Sequence, residues 1–331
     1  MGIRPQGRIL LLVLAAGLLA TAVAACGRSN DSSDTGAAAT TGAGGRDLSG
    51  RIEIDGSSTV GPFVTAGAEE FQGQNSGVQV TVGISGTGGG FERFCAGETD
   101  ISDASRPIKD DEEVPVCQEN GVEYTEIQIA NDGIAVVTNK DLKIDCMTTA
   151  QLKKLWDKGS KVKSYNEIDP SFPNTEAKLF GPGTDSGTFD FFTDKINGEE
   201  GRSRSDYSPS EDDNVTLTGV EGSKGGLGYF GFSYYEGAKD KVNLVKVAEK
   251  PGECVAPSTQ AIQDGSYKPL SRPLFMYPSE KSLAEKQVSG FMDFVLKNQA
   301  EIAKESQIVP MTSAQLTNAN GELKKGESAA G

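Results

Sequence analysis

Three stretches carry residue types suited to holding a small oxyanion. In FGPGTDSGTFDFF, Phe180 to Phe192, Gly181, Gly183 and Gly187 loosen the backbone, while Thr184, Ser186 and Thr188 supply short hydroxyls ahead of an aromatic run. In DGSSTVGPF, Ser57, Ser58 and Thr59 separate an alternating apolar segment, Ile52 and Ile54, from a helical pattern through Phe63, Ala66 and Phe71. In SGTGGG, Ser85, Gly86, Thr87 and three more glycines follow a strand-like segment, Val78 to Ile84, and precede a helix from about Phe91. Each reads as a strand or loop opening into a helix. A helix start leaves N–H groups without intrahelical partners and concentrates partial positive charge, so an anion is its natural guest. Asp185 and Ser186 are also good N-caps, and a capped helix after a turn explains the central stretch without a ligand. Three such loops in one chain favour the anion.

The segment ETDISDASRPI adds charge. Arg106 is suited to a bidentate grip on an oxyanion, and Asp100 to accepting an acidic proton from it. The plainer alternative is a polar strand end with Arg106 paired to a neighbouring acid. The run KDDEE, Lys109 to Glu113, reads as a solvated face.

Absences narrow the chemistry. The chain has no histidine, which removes histidine triads, histidine metal sites and histidine pH switches. Neither GxxxxGK[ST] nor GxGxxG with a distal acid occurs, so nucleotide loops are unsupported, and no CxxC spacing suggests zinc or redox work. No cofactor is expected. Formal charge is −15, and the part following the N-terminal apolar run carries 30 basic against 47 acidic residues, which makes nucleic acid a poor partner.

The elements around these stretches alternate between strands and helices, giving an α/β architecture without an internal repeat. Tyr124 to Asn139 predicts two strands joined by a break at Asn131, Asp132 and Gly133. TTAQLKKLWDKG predicts a capped helix over 148–157 with Leu152, Leu155 and Trp156 inward. Gly198 to Asp213 reads as a surface loop, GSKGGLGYFGFSYYE as packed aromatics, and KPLSRPLFMYP as a strand. SLAEKQVSGFMDFVLKNQ predicts an amphipathic helix with Leu283, Val288, Phe291, Phe294 and Val295 inward. The polar tail beyond Thr312 is expected to be poorly ordered.

At the N-terminus, Arg4 and Arg8 precede an apolar run from Ile9 to Ala20, and VAAC ends at Cys26. This has the form of a secretory signal over 1–25, and VAAC resembles a lipobox that would leave Cys26 as a lipidated first residue. Residues 26–49, rich in Gly, Ala, Ser and Thr, read as that cysteine and a flexible tether.

Taken together, DGSSTVGPF, SGTGGG, ETDISDASRPI, GPGTDSGTFDFF, GGLGYFGFSYY and PLSRPLFMY, in this order behind a lipobox, resemble the PstS family, the phosphate-binding lipoproteins of phosphate ABC importers. The resemblance implies a two-lobed type II periplasmic-binding-protein fold with the ligand cleft between α/β lobes. Lobe 1 would take 50–130 plus 271–331, and lobe 2 would take 131–270. It implies phosphate ligands at Ser58, Thr59 and the Val60 backbone, at Ser85 and nearby glycine N–H groups, and at Asp100, with Ser186, Gly187 and Thr188 closing from lobe 2. One departure stands out: family members carry an arginine shortly before SGT, and that place here falls near Pro182, so Arg106 is taken as its substitute.

The implied partners are inorganic phosphate and an ABC permease with its ATPase. The chain would act as a lipid-anchored monomer on the outer face of the cytoplasmic membrane. Alternatives are a receptor for sulfate, molybdate or arsenate, a secreted phosphatase using Ser186 or Thr188, and a surface sensor. The four cysteines besides Cys26 allow three pairings. Cys95 with Cys117 and Cys146 with Cys254 are preferred because each pair then lies within one lobe.

Overall fold

The computed structural model describes residues 48–184 and 186–331. The signal segment, Cys26, the tether up to residue 47 and Asp185 lie outside the described residues. Among the described residues, no helix is long and apolar enough to cross a membrane.

The chain opens with β1 (Ser49–Gly56), α1 (Gly61–Gln74), β2 (Gly77–Gly83), α2 (Gly86–Cys95), β3 (Ile101–Ala104) and α3 (Val114–Glu119). Strand β4 (Ile127–Thr138) follows. Next come β5 (Cys146–Thr148), α4 (Thr149–Trp156), β6 (Lys178–Gly181), α5 (Gly187–Phe192), β7 (Ser208–Pro209) and α6 (Asp213–Gly222). Then β8 (Gly226–Gly231), α7 (Phe232–Glu236), β9 (Asn243–Ala248) and α8 (Thr259–Gln263) lead to β10 (Ser271–Pro278). Helices α9 (Glu280–Leu283), α10 (Lys286–Glu305) and α11 (Ser313–Ala330) end the chain.

The main run of the sheet has the order β2-β1-β3-β10-β4-β8-β6-β7, with β9 also pairing β4 and β5 pairing β9. Strands β2, β1 and β3 are parallel, and β10 is antiparallel to both β3 and β4. Strand β4 pairs with β10 through Gly133 and with β8 from Ile134 onward, so it carries the chain from one region of packing to the other.

Two large hydrophobic cores lie on either side of that transfer. The first gathers Ile52, Phe63, Phe71, Ile129, Leu274, Phe291 and Leu296 from the early and late parts of the chain. The second gathers Val136, Trp156, Phe192, Leu227, Tyr229 and Val245 from the middle. A smaller cluster around Phe91, Phe94 and Tyr277 sits under α2. Each large core packs helices on a sheet face, and its buried apolar area is the main stabilising term for its half of the molecule. Disulfides join Cys95 to Cys117 and Cys146 to Cys254, as preferred from the sequence.

Four expectations change. Strand β4 runs unbroken through Asn131, Asp132 and Gly133, because Asn131 finds Pro310 and Gln315 and Asp132 finds Arg272. Helix α2 starts at Gly86 and runs through the glycines instead of following them. A Cβ on Gly90 would lie 2.6 Å from Gly56 Cα, so the glycine lets α2 press onto β1. The tail beyond Thr312 forms α11, opened by a capping box between Thr312 and Gln315, with Ala319 and Leu323 buried in the first core. Strand β1 begins at Ser49, inside the expected tether.

Candidate functional site

In the parallel part of the sheet, β1, β2 and β3 end at one edge, and the turns beyond them reach a common space. There β1 delivers Ser57, Ser58 and Thr59, β2 delivers Ser85 and the glycine start of α2, and β3 delivers Ser105 and Arg106. All of these residues line a cavity of about 750 Å³, which is closed from the second core by Gly187, Asp190, Phe191, Asp194, Lys195 and Glu200. Arg272 and Pro273 of β10 complete the wall.

The loops are held from behind. Asp55, on β1, accepts the Ser85 N–H at 2.9 Å and pairs with Arg93, whose pKa it raises. Ser57 Oγ accepts the Thr59 N–H at 3.2 Å, and Thr87 Oγ1 lies 3.1 Å from Ser105 Oγ. Neither α1 nor α2 has a side-chain cap. The start of α2 therefore faces the cavity with Gly86, Thr87, Gly88 and Gly89 and its positive dipole end.

Arg272 is the cation set deepest in the junction, its side chain only 13 % exposed. Its Nε donates to Asp132 Oδ2 at 3.2 Å, and Nη2 donates to Thr59 Oγ1 at 2.8 Å and to the Gly187 carbonyl at 3.4 Å. The guanidinium carbon lies 3.8 Å from the centre of the Phe191 ring. Burial lowers its pKa and Asp132 opposes this, but a guanidinium so shifted stays charged. Arg106 lines the same cavity and is held by Glu113 through two bonds of 2.8 and 2.7 Å, which raise its pKa. Glu113 is therefore an ion-pair partner and not part of a solvated face.

The residues named from the sequence separate into two groups. Ser58, Thr59, Ser85, Arg106 and Gly187 come together on the cavity wall. Val60 is buried in the first core and its N–H donates to the Ser57 carbonyl. Ser186 caps α5 by accepting the Thr188 N–H, as the ligand-free reading of that stretch has it, and neither residue is among those lining the cavity. Asp100 lies at the other end of β3, about 13 Å along the strand from the cleft edge. There it accepts from the Glu53 N–H at 2.9 Å and from Ser282 Oγ at 2.7 Å. It is a structural acceptor that ties β1 to α9.

Arg272 is what sequence reasoning missed, although a signal existed: Ser-Arg-Pro occurs at 105–107 and again at 271–273. Ser57, Thr87, Ser105, Lys109, Asp190 and Lys195 were also not named as ligands. Among the described residues, no group of three or more carboxylate or cysteine side chains converges as a metal ion would require.

A PBP superfamily domain matches residues 31–299. Protein SphX of Synechococcus elongatus is 44% identical over 270 residues, which cover 81% of this chain and 80% of the relative. Phosphate-binding protein PstS of Staphylococcus saprophyticus is 40% identical over 276 residues, covering 83% and 84%. The chain belongs to the PstS family. Among solved structures, a possible phosphate binding protein from Planctomyces limnophilus superposes with a TM-score of 0.80 at 41% identity, covering 84% of this chain and 99% of that one. An ABC-type phosphate transport receptor from Vibrio cholerae, at 18% identity, shares the fold with a TM-score of 0.63, covering 78% and 99%. The two-lobed fold of the PstS family accounts for the two cores, and residues packed with both of them line the cavity.

Proposed function

We propose that this protein captures inorganic phosphate in the cleft and delivers it to an ABC importer. The observation that carries the reading is the convergence, in a PstS-family chain, of Arg272, Arg106, the Ser58, Thr59 and Ser85 hydroxyls and the uncapped start of α2 on one cavity. A dehydrated oxyanion needs many fixed donors, and preorganised N–H groups, hydroxyls and guanidinium forks provide them.

Selectivity needs an acceptor as well. Asp100 is too far away, so the role passes to Asp190, on the first turn of α5 and on the cavity wall. A carboxylate there accepts the proton of HPO₄²⁻ or H₂PO₄⁻ and repels fully ionised sulfate. The ligand set of this proposal is Ser58, Thr59, Ser85, Arg106, Gly187, Asp190 and Arg272. The lobes divide at 130/131 and 270/271. The protein acts as a monomer without catalysis, held to the outer face of the cytoplasmic membrane through Cys26.

Calorimetric titration of the purified chain with phosphate and sulfate, for wild type and Asp190→Asn, tests this. One-to-one phosphate binding with sulfate silent, and sulfate binding gained in the variant, is the expected result. Absence of heat with phosphate would sink the proposal.

A further inference from the structure

The acid that holds the second oxyanion loop is itself answered by a cation outside the cavity wall. Asp55 lies near the end of β1 and is buried beside Gly83 of β2, on which a Cβ would stand 2.8 Å from the Asp55 carboxyl carbon. One carboxylate oxygen, Oδ1, accepts the Ser85 N–H at 2.9 Å, and the other, Oδ2, accepts from Arg93 Nη1. Ser85 is the residue before α2 and Arg93 lies in its last turn, so one carboxylate grips the helix at two places about two turns apart. The arginine side chain leans back toward the helix start, as long helical side chains do. Its Nε also donates to Glu98 Oε2 at 3.2 Å, at the surface. Ser85 lines the cavity, whereas Asp55 and Arg93 are not among the residues that do.

An ionised acceptor holds an N–H more firmly than a neutral one, but here it also sets a negative charge behind a loop that receives an anion. The start of α2 offers about half a positive charge. Against a full negative charge on Asp55, that end of the helix would repel an oxyanion. With the charge of Arg93 added, the balance returns to about half a unit positive. We propose that Arg93 is a positioning residue that neutralises Asp55, so that an acid anchors the Ser85 loop without turning the start of α2 against the bound oxyanion. The Arg93 side chain is 47 % exposed, so its replacement opens no hole in a core. The inference rests on the phosphate reading above.

The test is calorimetric titration of inorganic phosphate into the full chain for wild type, Arg93→Lys, Arg93→Gln and the double variant that joins Asp55→Asn to Arg93→Gln. Arg93→Gln is expected to bind about tenfold more weakly, because the Asp55 charge is left unanswered. In the double variant the asparagine oxygen still accepts the Ser85 N–H and neither charge remains, so affinity should return to within about threefold of wild type. Arg93→Lys keeps the positive charge and should also stay within about threefold. If Arg93 only braced the loop, removing its partner as well could not restore binding. Arg93→Gln within about twofold of wild type overturns the inference, and so does a double variant as weak as Arg93→Gln. Where the double variant does not fold, Arg93→Lys decides, and binding as weak as that of Arg93→Gln overturns the inference. Failure of wild type to bind phosphate overturns the functional reading, whereas wild-type binding without the loss or without the rescue overturns this inference alone.

Discussion

Arg272 and Arg106 both sit in a Ser-Arg-Pro tripeptide, yet their surroundings assign them different work. Arg272 is buried and spends its donors on Thr59, Gly187 and Asp132, whereas Arg106 is closer to the rim and pinned by Glu113. A buried planar fork is poorly replaced by lysine. Arg272→Lys is therefore expected to weaken phosphate binding by about 1.5–3 kcal/mol, the worth of hydrogen bonds to a charged group, and calorimetry measures it. Asp100→Ala should do the reverse. It removes two acceptors far from the cleft, so phosphate affinity stays within about twofold while the chain loses about 1–2 kcal/mol of stability in a urea titration. The difference between Asp100 and the acids that matter was hard to read from the sequence, because a four-residue strand puts acids at both ends and does not announce which end faces the ligand. The following Ser-Arg-Pro gives that direction only once both copies of the tripeptide are seen to meet at one cavity.

Helix starts explain what could be read one level up. The apolar alternation before DGSST and SGTGGG was enough to place β1, β2 and the turns after them, since those turns need small residues whatever fills the cleft. What periodicity could not show was α2 running through its four glycines, which propensity disfavours; only the contact of Gly90 with β1 shows why a glycine is wanted there. Helix α11 was missed for a related reason: its polar sequence hides a narrow buried stripe, although Thr312 and Gln315 signal its start. Helix α6 offers a test of its own. Burial, with Asp212 and Glu211 adding to it, pushes the Asp213 carboxyl up to about 6. Between about pH 4 and pH 6 the native state then holds a proton that the unfolded chain has given up, so stability falls as pH rises through that window and stays reduced above it. Asp213→Asn is expected to raise stability by about 1–2 kcal/mol at pH 7, discounted for partial exposure, and to change little at about pH 3.5, read from urea midpoints.

On the scale of the whole molecule, the two cores meet at a contact with no slack. A Cβ on Gly187 would lie 2.1 Å from Thr59 Oγ1 and 2.6 Å from its backbone nitrogen, so this approach is open to glycine alone. Gly187→Ala should therefore oppose closure, weakening phosphate binding about tenfold or more through overpacking of about 1–3 kcal/mol. Each core keeps its own packing, so the melting temperature is expected to stay within about 2 °C, and calorimetry beside thermal unfolding separates the two effects. The way the cores divide the chain has a further consequence, for the order of assembly. The second core draws almost entirely on one continuous stretch, whereas the first joins residues before β4 to β10, α10 and α11. A chain emerging from its N-terminus can complete the middle core while β1, β2 and α1 still wait for partners two hundred residues away, about the span from β1 to β10. The half that presents most of the oxyanion donors is therefore the half that finishes last, and it is exposed longest to misassembly during synthesis.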